Sequence, residues 1–273
     1  MQEAWVMDQQ VAVRQTYFQR MLFDRCLDEE FVRRFWATPD LIVDQGLPLK
    51  LSDASTVTRI SLCDMSGSAA DGGEVHALDA VAKRFNPRGL VHSIRHMLMA
   101  SRASRNWTYG RMLVAAGVAT PRPFAMLEKR WGLCRLHSYV VMEHVEGISL
   151  DVFLNQDRLP AGALENIALQ VADLWWKLDE LRITHGDLKP ANLIVTPDER
   201  LFVIDLDGVS SHRFSSQYRA RRKREWWRLM RGWQHRPDVE EAFRSAIVQR
   251  ARTANVGLRS NSDPAICNRR SAA

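Results

Sequence analysis

The stretch from His185 to Asp207 reads HGDLKPANLIVTPDERLFVIDLD. Two β-type runs, residues 193–196 and 201–204, flank the four residues PDER at positions 197–200. A proline, an aspartate and polar neighbours between two apolar runs favour a tight turn. The stretch therefore predicts a β-hairpin that follows a polar loop and ends in an acidic triplet.

The polar residues of this stretch have the chemistry that phosphoryl transfer requires. A hairpin returns the chain beside its own start, so we expect Asn192 and Asp205 to meet at one edge, with Asp187 just before them. Two carboxylates, one amide oxygen and the ammonium of Lys189 would then share a small volume. Mg²⁺ prefers hard oxygen ligands of this kind, and phosphoryl transfer needs a metal, a carboxylate near the attacking hydroxyl and nearby positive charge. The alternative is a surface turn with chance polar residues, which explains neither the order nor the spacing.

The composition is that of a globular protein. The 273 residues are 46% hydrophobic and 26% charged, which is ample for a buried core. The four cysteines lie far apart and form no CxxC pair, so we expect neither a zinc site nor a disulfide framework. We see no signal peptide and no apolar run of the roughly 18 residues that a membrane span needs. These features predict a cytoplasmic protein.

Positive charge is concentrated in two segments. Residues 213–236 contain nine Lys or Arg and a single acidic residue, Glu225, and residues 83–111 contain seven Lys or Arg and no acidic residue. Such an excess attracts anionic surfaces, including phospholipid headgroups and glycolipid phosphates. A solvated basic face is the alternative for each segment.

Hydrophobic periodicity predicts four regions. These are a helical N-terminal extension over 1–40, a region of sheet and helix over 41–145, a mainly helical C-terminal region over 146–252 and a flexible tail over 253–273. The third region holds the polar stretch 185–207 and the basic helices. The predicted helices span 9–36, 90–116, 150–155, 161–181 and 215–251, and the predicted strands span 56–62, 75–85 and 138–143, with a loop over 66–73.

The run HGDLKPAN resembles the catalytic loop of protein-kinase-like enzymes, and the triplet that begins at Asp205 stands where their metal-binding Asp-Phe-Gly would be. By that resemblance Asp187 orients the acceptor hydroxyl and accepts its proton, and Lys189 neutralises charge on the moving phosphoryl group. Asn192 and Asp205 would hold Mg²⁺, with ATP as the phosphoryl donor.

A closer resemblance is to the lipopolysaccharide core kinases, the Kdo/WaaP-type family of Gram-negative bacteria. It covers about residues 45–235, and the runs that carry it besides the catalytic loop are VAKRFNPRGL (81–90), GVATPRP (117–123) and YVVMEHVEG (139–147). It implies an α+β, bilobal protein-kinase-like fold with an antiparallel-sheet N-lobe and a mainly helical, shortened C-lobe. It also implies phosphorylation of a Kdo or heptose hydroxyl of the lipopolysaccharide inner core, at the cytoplasmic face of the inner membrane. No nucleic-acid partner is expected.

The resemblance extends to nucleotide-binding residues. Lys83 matches the strand lysine that contacts the nucleotide phosphates, and Glu143 and Val145 lie in the hinge that meets adenine through backbone groups. Residues 52–56 are the candidate for the turn that covers the phosphates.

One departure from the family pattern concerns the partner of Lys83. The family places a helical glutamate opposite this lysine, but no acidic residue occurs between Asp79 and Glu128, and Asn106 stands near the expected position. Either another carboxylate pairs with Lys83, or the enzyme is slow, or the site is degenerate. Two alternatives to a glycolipid kinase stay open, the first because such kinases share the His-Gly-Asp loop and the second because the helical acid is missing. One is an atypical protein or small-molecule kinase, and the other is a pseudokinase that binds nucleotide as a regulatory module.

Overall fold

The computed structural model describes residues 10–63, 77–86, 100–131 and 134–260. The predicted loop at 66–73, the first part of the predicted helix at 90–116 and residues 261–273 lie outside these ranges. The chain divides into two compact units. The first unit comprises residues 1–147 and 202–210, and the second comprises residues 148–201 and 211–273. The chain therefore re-enters the first unit within the second strand of the predicted hairpin.

An antiparallel sheet of seven strands forms the centre of the first unit. Its spatial order is β1-β2-β6-β7-β5-β4-β3, and every neighbouring pair is antiparallel. The strands are β1 (Val11–Gln15), β2 (Gln19–Asp24), β3 (Leu47–Ser52), β4 (Ser55–Cys63), β5 (Ala77–Phe85), β6 (Pro123–Trp131) and β7 (Cys134–Glu143). The strands predicted over 56–62 and 138–143 are confirmed as parts of β4 and β7.

The helix predicted over 9–36 is wrong in its first two-thirds. Residues 11–24 form β1 and β2 instead, and the first helix, α1, spans Glu29–Ala37. The apolar residues of this segment fit a helical spacing, but β2 pairs with β6, with Leu22 opposite Met126. Pairing with a distant strand overrides the local pattern, so the N-terminal segment extends the sheet.

Helices cover both faces of this sheet. Along β7, successive side chains point to opposite faces. Tyr139 and Val141 pack in one cluster with α1 and with α2 (Pro39–Gln45), whereas Val140 packs in another with α3 (Arg102–Ala115). Two core layers, one on each face, therefore pack against β5.

The second unit is mainly helical. Its helices are α4 (Leu150–Leu154), α5 (Ala163–Glu180), α6 (Ser215–Arg231) and α7 (Pro237–Ser260). Short strands accompany them: β8 (Ile148–Ser149), β9 (Ile183–Thr184) and β10 (Leu193–Val195). Two further short strands, β11 (Leu201–Val203) and β12 (Ser210–Ser211), lie where the chain enters and leaves the first unit. The two strands predicted around residues 197–200 are therefore confirmed as β10 and β11. Together the two units make a mixed α+β protein with an antiparallel sheet.

The C-terminal helical region differs from its prediction in two ways. The single helix predicted over 215–251 is two helices, because the chain turns between Arg231 and Pro237. The flexible tail predicted from residue 253 is also wrong at its start, since α7 continues to Ser260. The polar residues after 252 contain no proline before Pro264, and polarity alone does not end a helix.

None of the helices in the described ranges is both long and apolar enough to cross a membrane.

Candidate active site

Lys83 lies on β5, and its ammonium pairs with the carboxylate of Asp205. Only 9% of the Lys83 side chain is exposed, whereas 32% of the Asp205 side chain is. Because alternate residues of a strand share a face, Phe85 lies on the same side as Lys83, whose Nζ is 4.9 Å from the ring centroid. A buried ammonium is costly unless it is paired. Asp205 is therefore the carboxylate that pairs with the buried Lys83.

The loop that carries Asp205 is anchored to the first unit by its backbone. The Val203 N–H donates to the carbonyl of Ala119 at 2.9 Å, and the buried hydroxyl of Thr120 donates to the carbonyl of Val203 at 2.7 Å. Two residues later, Asp205 adopts a φ of 65°. This left-handed conformation is unfavourable for most residues, although aspartate and asparagine tolerate it better than others. The anchored strand thus leads into a backbone conformation that turns Asp205 sharply.

The second aspartate of the triplet, Asp207, pairs with Arg102 at the start of α3. The Nε and Nη2 atoms of Arg102 both contact Oδ2 of Asp207, and Nη1 donates to the carbonyl of Ala54 at 3.2 Å. Burial, together with a hydrogen bond that the protonated Asp207 carboxyl donates to Asp205, raises the pKa of Asp207 above its ordinary value, although the charge of Lys83 opposes this shift. Arg102 and Asp207 were missed in the sequence analysis. The sequence did contain a signal for this pair: the triplet has a second aspartate, and α3, which has no acidic residue, begins with an arginine.

Lys83 is paired in the structure although α3 carries no acidic residue. Asn106 lies on α3 and is buried, so its position matches the expectation, but it brings no charge. Lys83 takes its anionic partner from the Asp205 loop, and α3 supplies a cation, Arg102, to the same loop. The helix therefore contributes a cation to the site, whereas the family pattern expects it to contribute a carboxylate.

In the second unit, Asp187, Lys189 and Asn192 form one hydrogen-bonded group. The Asp187 Oδ2 atom accepts from Lys189 Nζ at 2.7 Å and from Asn192 Nδ2 at 3.2 Å, and Asn192 Nδ2 also donates to the carbonyl of Asp187 at 2.8 Å. About half of the Asp187 side chain is exposed, at 47%. Both side-chain contacts fall on one carboxylate oxygen, so the carboxylate keeps acceptor capacity for a substrate hydroxyl. The amide nitrogen of Asn192 makes both donations, which leaves its amide oxygen for a metal.

The Gly186 peptide is held from α6. Its N–H donates to Oε1 of Glu225 at 2.6 Å, and its carbonyl accepts from Nη1 of Arg228. Gly186 has a φ of 87°, which residues with a side chain rarely adopt. His185, which is also buried, accepts from the Asp187 N–H through Nδ1 at 3.4 Å. The loop is therefore fixed immediately before Asp187 by His185, in agreement with the supporting role that the sequence predicts for it, and by Glu225 and Arg228, which sequence reasoning did not assign.

Glu225 is itself held by a buried cation. Only 2% of its side chain is exposed, and Oε2 lies 3.3 Å from Nη1 of Arg222, whose side chain is 7% exposed. Arg222 also donates to the carbonyl of Trp175 at 2.8 Å and stacks on that indole ring at 3.3 Å. A signal for Glu225 was present in the sequence, because it is the single acid among nine basic residues in 213–236.

The hinge residues Glu143 and Val145 lie in and just after β7. Glu143 is committed to local contacts, since its N–H donates to the Arg122 carbonyl at 2.9 Å and its Oε2 accepts from the Arg122 N–H at 3.1 Å. Within the ranges that the structure describes, no hydrogen bond involves the backbone of Val145. The adenine contact of this pair stays a prediction.

The outward side of α6 forms a basic face. Trp227 lies at the centre of this face and is 58% exposed, and the Cζ atom of Arg231 is 5.2 Å from the centroid of its indole ring. In the described part of the chain, no acidic side chain of α6 is exposed, since Glu225 is buried. We define the basic face as Arg221, Lys223, Arg224, Trp227, Arg228 and Arg231, all of which are exposed. Trp226, in contrast, packs inward with an edge-to-face contact to Trp175.

The predicted site residues thus form two groups. Lys83 and Asp205 meet in the first unit, and Asp187, Lys189 and Asn192 meet in the second. The meeting of Asn192 with Asp205 that the hairpin predicts joins the two units and stays a prediction, as do the roles assigned to these residues.

Comparison with known proteins identifies sequences that are similar to this chain. The profile described as "Lipopolysaccharide kinase (Kdo/WaaP) family" matches residues 82–247, which is more than half of the chain. The dual specificity mitogen-activated protein kinase kinase mek-2 of Caenorhabditis elegans is 36% identical over 73 residues, or 26% of this chain. Those residues are 19% of that protein, so the chain spans about a fifth of the length of the curated relative that it matches.

Proposed function

Since this chain belongs to the lipopolysaccharide kinase (Kdo/WaaP) family, a kinase family, we propose that it transfers the γ-phosphoryl group of ATP to a sugar hydroxyl of the lipopolysaccharide inner core. The acceptor would be Kdo, heptose or a related glycolipid. The observation that carries this proposal is the Asp187 group, in which a half-exposed carboxylate is held by Lys189 and Asn192. Phosphoryl transfer needs such a positioned carboxylate and a neighbouring cation more than it needs a nucleophilic side chain.

Asp187 and Lys189 would act on the acceptor and on the transferred group. Asp187 accepts the proton of the sugar hydroxyl as the new O–P bond forms and as the bond between the γ-phosphorus and the bridging oxygen breaks, which releases ADP. Lys189, whose side chain is 46% exposed, neutralises charge on the phosphoryl oxygens. The fixed Gly186 peptide supports this role because it limits movement of the adjacent carboxylate.

A second set of residues would hold the nucleotide and its metal. Mg²⁺ takes oxygen ligands and is usually bound through one or two carboxylates and substrate phosphates, and the partly exposed Asp205 carboxylate and the amide oxygen of Asn192 fit that set. Bound Mg²⁺ would supply positive charge to the phosphate oxygens. Lys83 would contact the phosphates, and the backbones of Glu143 and Val145 would contact adenine.

The basic face of α6 supports an anionic acceptor. Five exposed cations surround an exposed indole, and this combination favours contact with glycolipid phosphates or with an anionic lipid surface. Arg228 of this face also contacts the Gly186 carbonyl, so the face lies on the helix that holds the catalytic loop. We propose peripheral contact with the cytoplasmic face of the inner membrane, next to the lipid-anchored acceptor.

Mass spectrometry of core oligosaccharide from cells with and without the gene tests the acceptor. Cells that express the wild-type chain should carry one phosphate more than cells that express Asp187→Asn, a variant that keeps the side-chain shape but removes the proton acceptor. Removal of a general base typically lowers the rate by about 10²–10⁴-fold. Unchanged phosphate content between the two strains would contradict the proposal.

A protein acceptor is the second candidate, because the named relative is itself a kinase of protein kinases. Transfer of labelled γ-phosphate to core oligosaccharide, to proteins and to an aminoglycoside should be compared in one assay. Labelling of protein alone would favour this second candidate, and ATP binding without transfer to any acceptor would favour a pseudokinase module.

A further inference from the structure

Two ion pairs lie around one aromatic ring in the first unit. Lys83 pairs with Asp205, and Arg102 pairs with Asp207. The Lys83 Nζ atom lies 4.9 Å from the centroid of the Phe85 ring, and the Arg102 Cζ atom lies 4.6 Å from it. The two aspartates of the triplet are thus bound by two different cations that share a cation–π partner.

Arg102 also contacts the turn between β3 and β4. Its Nη1 atom donates to the carbonyl of Ala54 at 3.2 Å, and the Asn86 N–H donates to the same carbonyl at 3.2 Å. This turn lies within residues 52–56, the candidate for covering the nucleotide phosphates. A single guanidinium therefore connects the turn, the start of α3 and the Asp205 loop.

The position of Arg102 on its helix indicates that the contact with Asp207 is specific. Arg102 is the first residue of α3, and the first turn of α3 contains no acidic residue. A cation is unfavourable at the positive end of a helix dipole, so the helix itself gives no reason for an arginine here. Asp207 offsets this cost, and its side chain is only 11% exposed.

We propose that Arg102 is a positioning residue for the nucleotide phosphates, and that its ion pair with Asp207 takes the place of the absent helical glutamate. The helix contributes the cation and the loop contributes the carboxylate. Arg102 holds the β3–β4 turn against the Asp205 loop, and Lys83 and Asp205 are thereby held in one arrangement. This inference rests on the proposed use of Mg-ATP, but it is independent of the acceptor.

Calorimetric titration with Mg-ATP tests the proposal. Arg102→Gln should weaken Mg-ATP binding by roughly tenfold, the size of coupling typical of contacting charged residues. Arg102→Lys should restore only part of the affinity, because an ammonium cannot contact Asp207 and Ala54 with a planar fork. Asp207→Asn should resemble Arg102→Gln, and the double variant should bind no more weakly than the weaker single variant. Arg59→Gln is the control, because Arg59 forms an exposed ion pair with Asp79 in the same unit and should leave the affinity unchanged.

Hydrogen exchange of the nucleotide-free protein provides a second readout. Amides of residues 52–56 should exchange faster in Arg102→Gln than in wild type, with no change in Arg59→Gln. Unchanged Mg-ATP affinity in Arg102→Gln, even with a lower unfolding temperature, would reduce Arg102 to a structural residue and overturn the proposal. Unchanged exchange would overturn the connection to the turn. If the variants show the expected Mg-ATP affinities but the wild-type protein transfers no phosphate to core oligosaccharide, the proposed acceptor is wrong and the role of Arg102 stands.

Discussion

The carboxylate of Glu225 accepts a hydrogen bond from the backbone N–H of Gly186 at 2.6 Å, across 39 positions of the sequence. Glu225 is in turn paired with Arg222, and both side chains are more than nine-tenths buried. The residue next to the proposed proton acceptor Asp187 is therefore fixed by a buried ion pair on another helix. A small displacement of a catalytic group is costly, so this network should affect both stability and rate.

Replacing Glu225 separates these two effects. Glu225→Ala removes the α6 partner of the buried Arg222, whose Nε atom also lies 3.9 Å from a carboxylate oxygen of Asp179. Because one anion remains near Arg222, the free energy of unfolding should fall by about 3 kcal/mol, the lower end for a broken buried ion pair. Glu225→Gln keeps an oxygen that can accept from Gly186, so it should retain more stability and more phosphate transfer than Glu225→Ala. Urea unfolding and steady-state kinetics check both statements. Glu240→Gln is the control, because Glu240 forms an i,i+4 pair with the exposed Arg244 in the same unit and should change little. Equal losses for the two Glu225 variants would contradict the role of the Gly186 hydrogen bond.

Asp205 combines a charge with an unusual backbone conformation. Its φ of 65° is tolerated by asparagine but disfavours alanine by about 1–2 kcal/mol. Asp205→Asn and Asp205→Ala should therefore both raise the Mg²⁺ concentration needed for ATP binding, whereas Asp205→Ala should unfold at a lower denaturant concentration. Magnesium titrations in the presence of ATP and urea unfolding measure the two properties separately. Equal stability of the two variants would argue against backbone strain at this position.

The sequence predicted those parts of the fold that local patterns determine. The hairpin of β10 and β11 was confirmed because β-type runs and turn residues lie next to each other in sequence. The strands at residues 11–24 were missed because their identity depends on pairing with β6, about a hundred positions away. An isolated segment with mixed spacing carries too little information to decide between a helix and a strand.

The candidate site divides in the same way. Asp187, Lys189 and Asn192 were predicted as a group, and they are close in sequence and in hydrogen-bond contact. The partner of Lys83 was not predicted, because Asp205 is 122 positions away and the expected helical acid is absent. Arg102 and Glu225 were missed for the same reason, since Asp207 and Gly186, which they contact, lie 105 and 39 positions away and leave no periodic signal.

Acid should weaken the first unit through Asp24. Burial raises the pKa of this carboxyl, but hydrogen bonding and charge from Arg122 and the Cys26 N–H outweigh that effect and leave the pKa below its ordinary value. A lowered pKa in the folded state means that the group stabilises the fold above its unfolded pKa of about 3.9 and loses that contribution as pH falls through the folded pKa. The urea concentration at the unfolding midpoint, measured from neutral pH downward, should therefore decrease once the pH falls below about 4. Asp24→Asn should reduce this dependence, whereas Asp157→Asn, at an exposed position of the second unit, should preserve it. The same slope in Asp24→Asn and wild type would contradict this assignment.

The basic face of α6 should bind anionic membranes through its exposed cations. Simultaneous replacement of Lys223, Arg224 and Arg231 by glutamine should weaken binding to vesicles that contain anionic phospholipid by about a hundredfold, because each cation near such a surface contributes about 1 kcal/mol. Vesicle co-sedimentation at two salt concentrations provides the measurement. Binding of wild type should fall as salt rises, since the interaction is screened.

A matched control distinguishes this face from overall positive charge. Arg33, Arg59 and Arg250 are arginines with substantially exposed side chains that pair with Glu30, Asp79 and Asp173, respectively. Replacing these three by glutamine changes the net charge as much as the α6 replacement does, but each of these cations already faces an anion. Vesicle binding should therefore stay close to that of wild type. If both triple variants lose binding equally, total charge rather than the arrangement on α6 governs the interaction, and the proposed membrane contact of this helix fails.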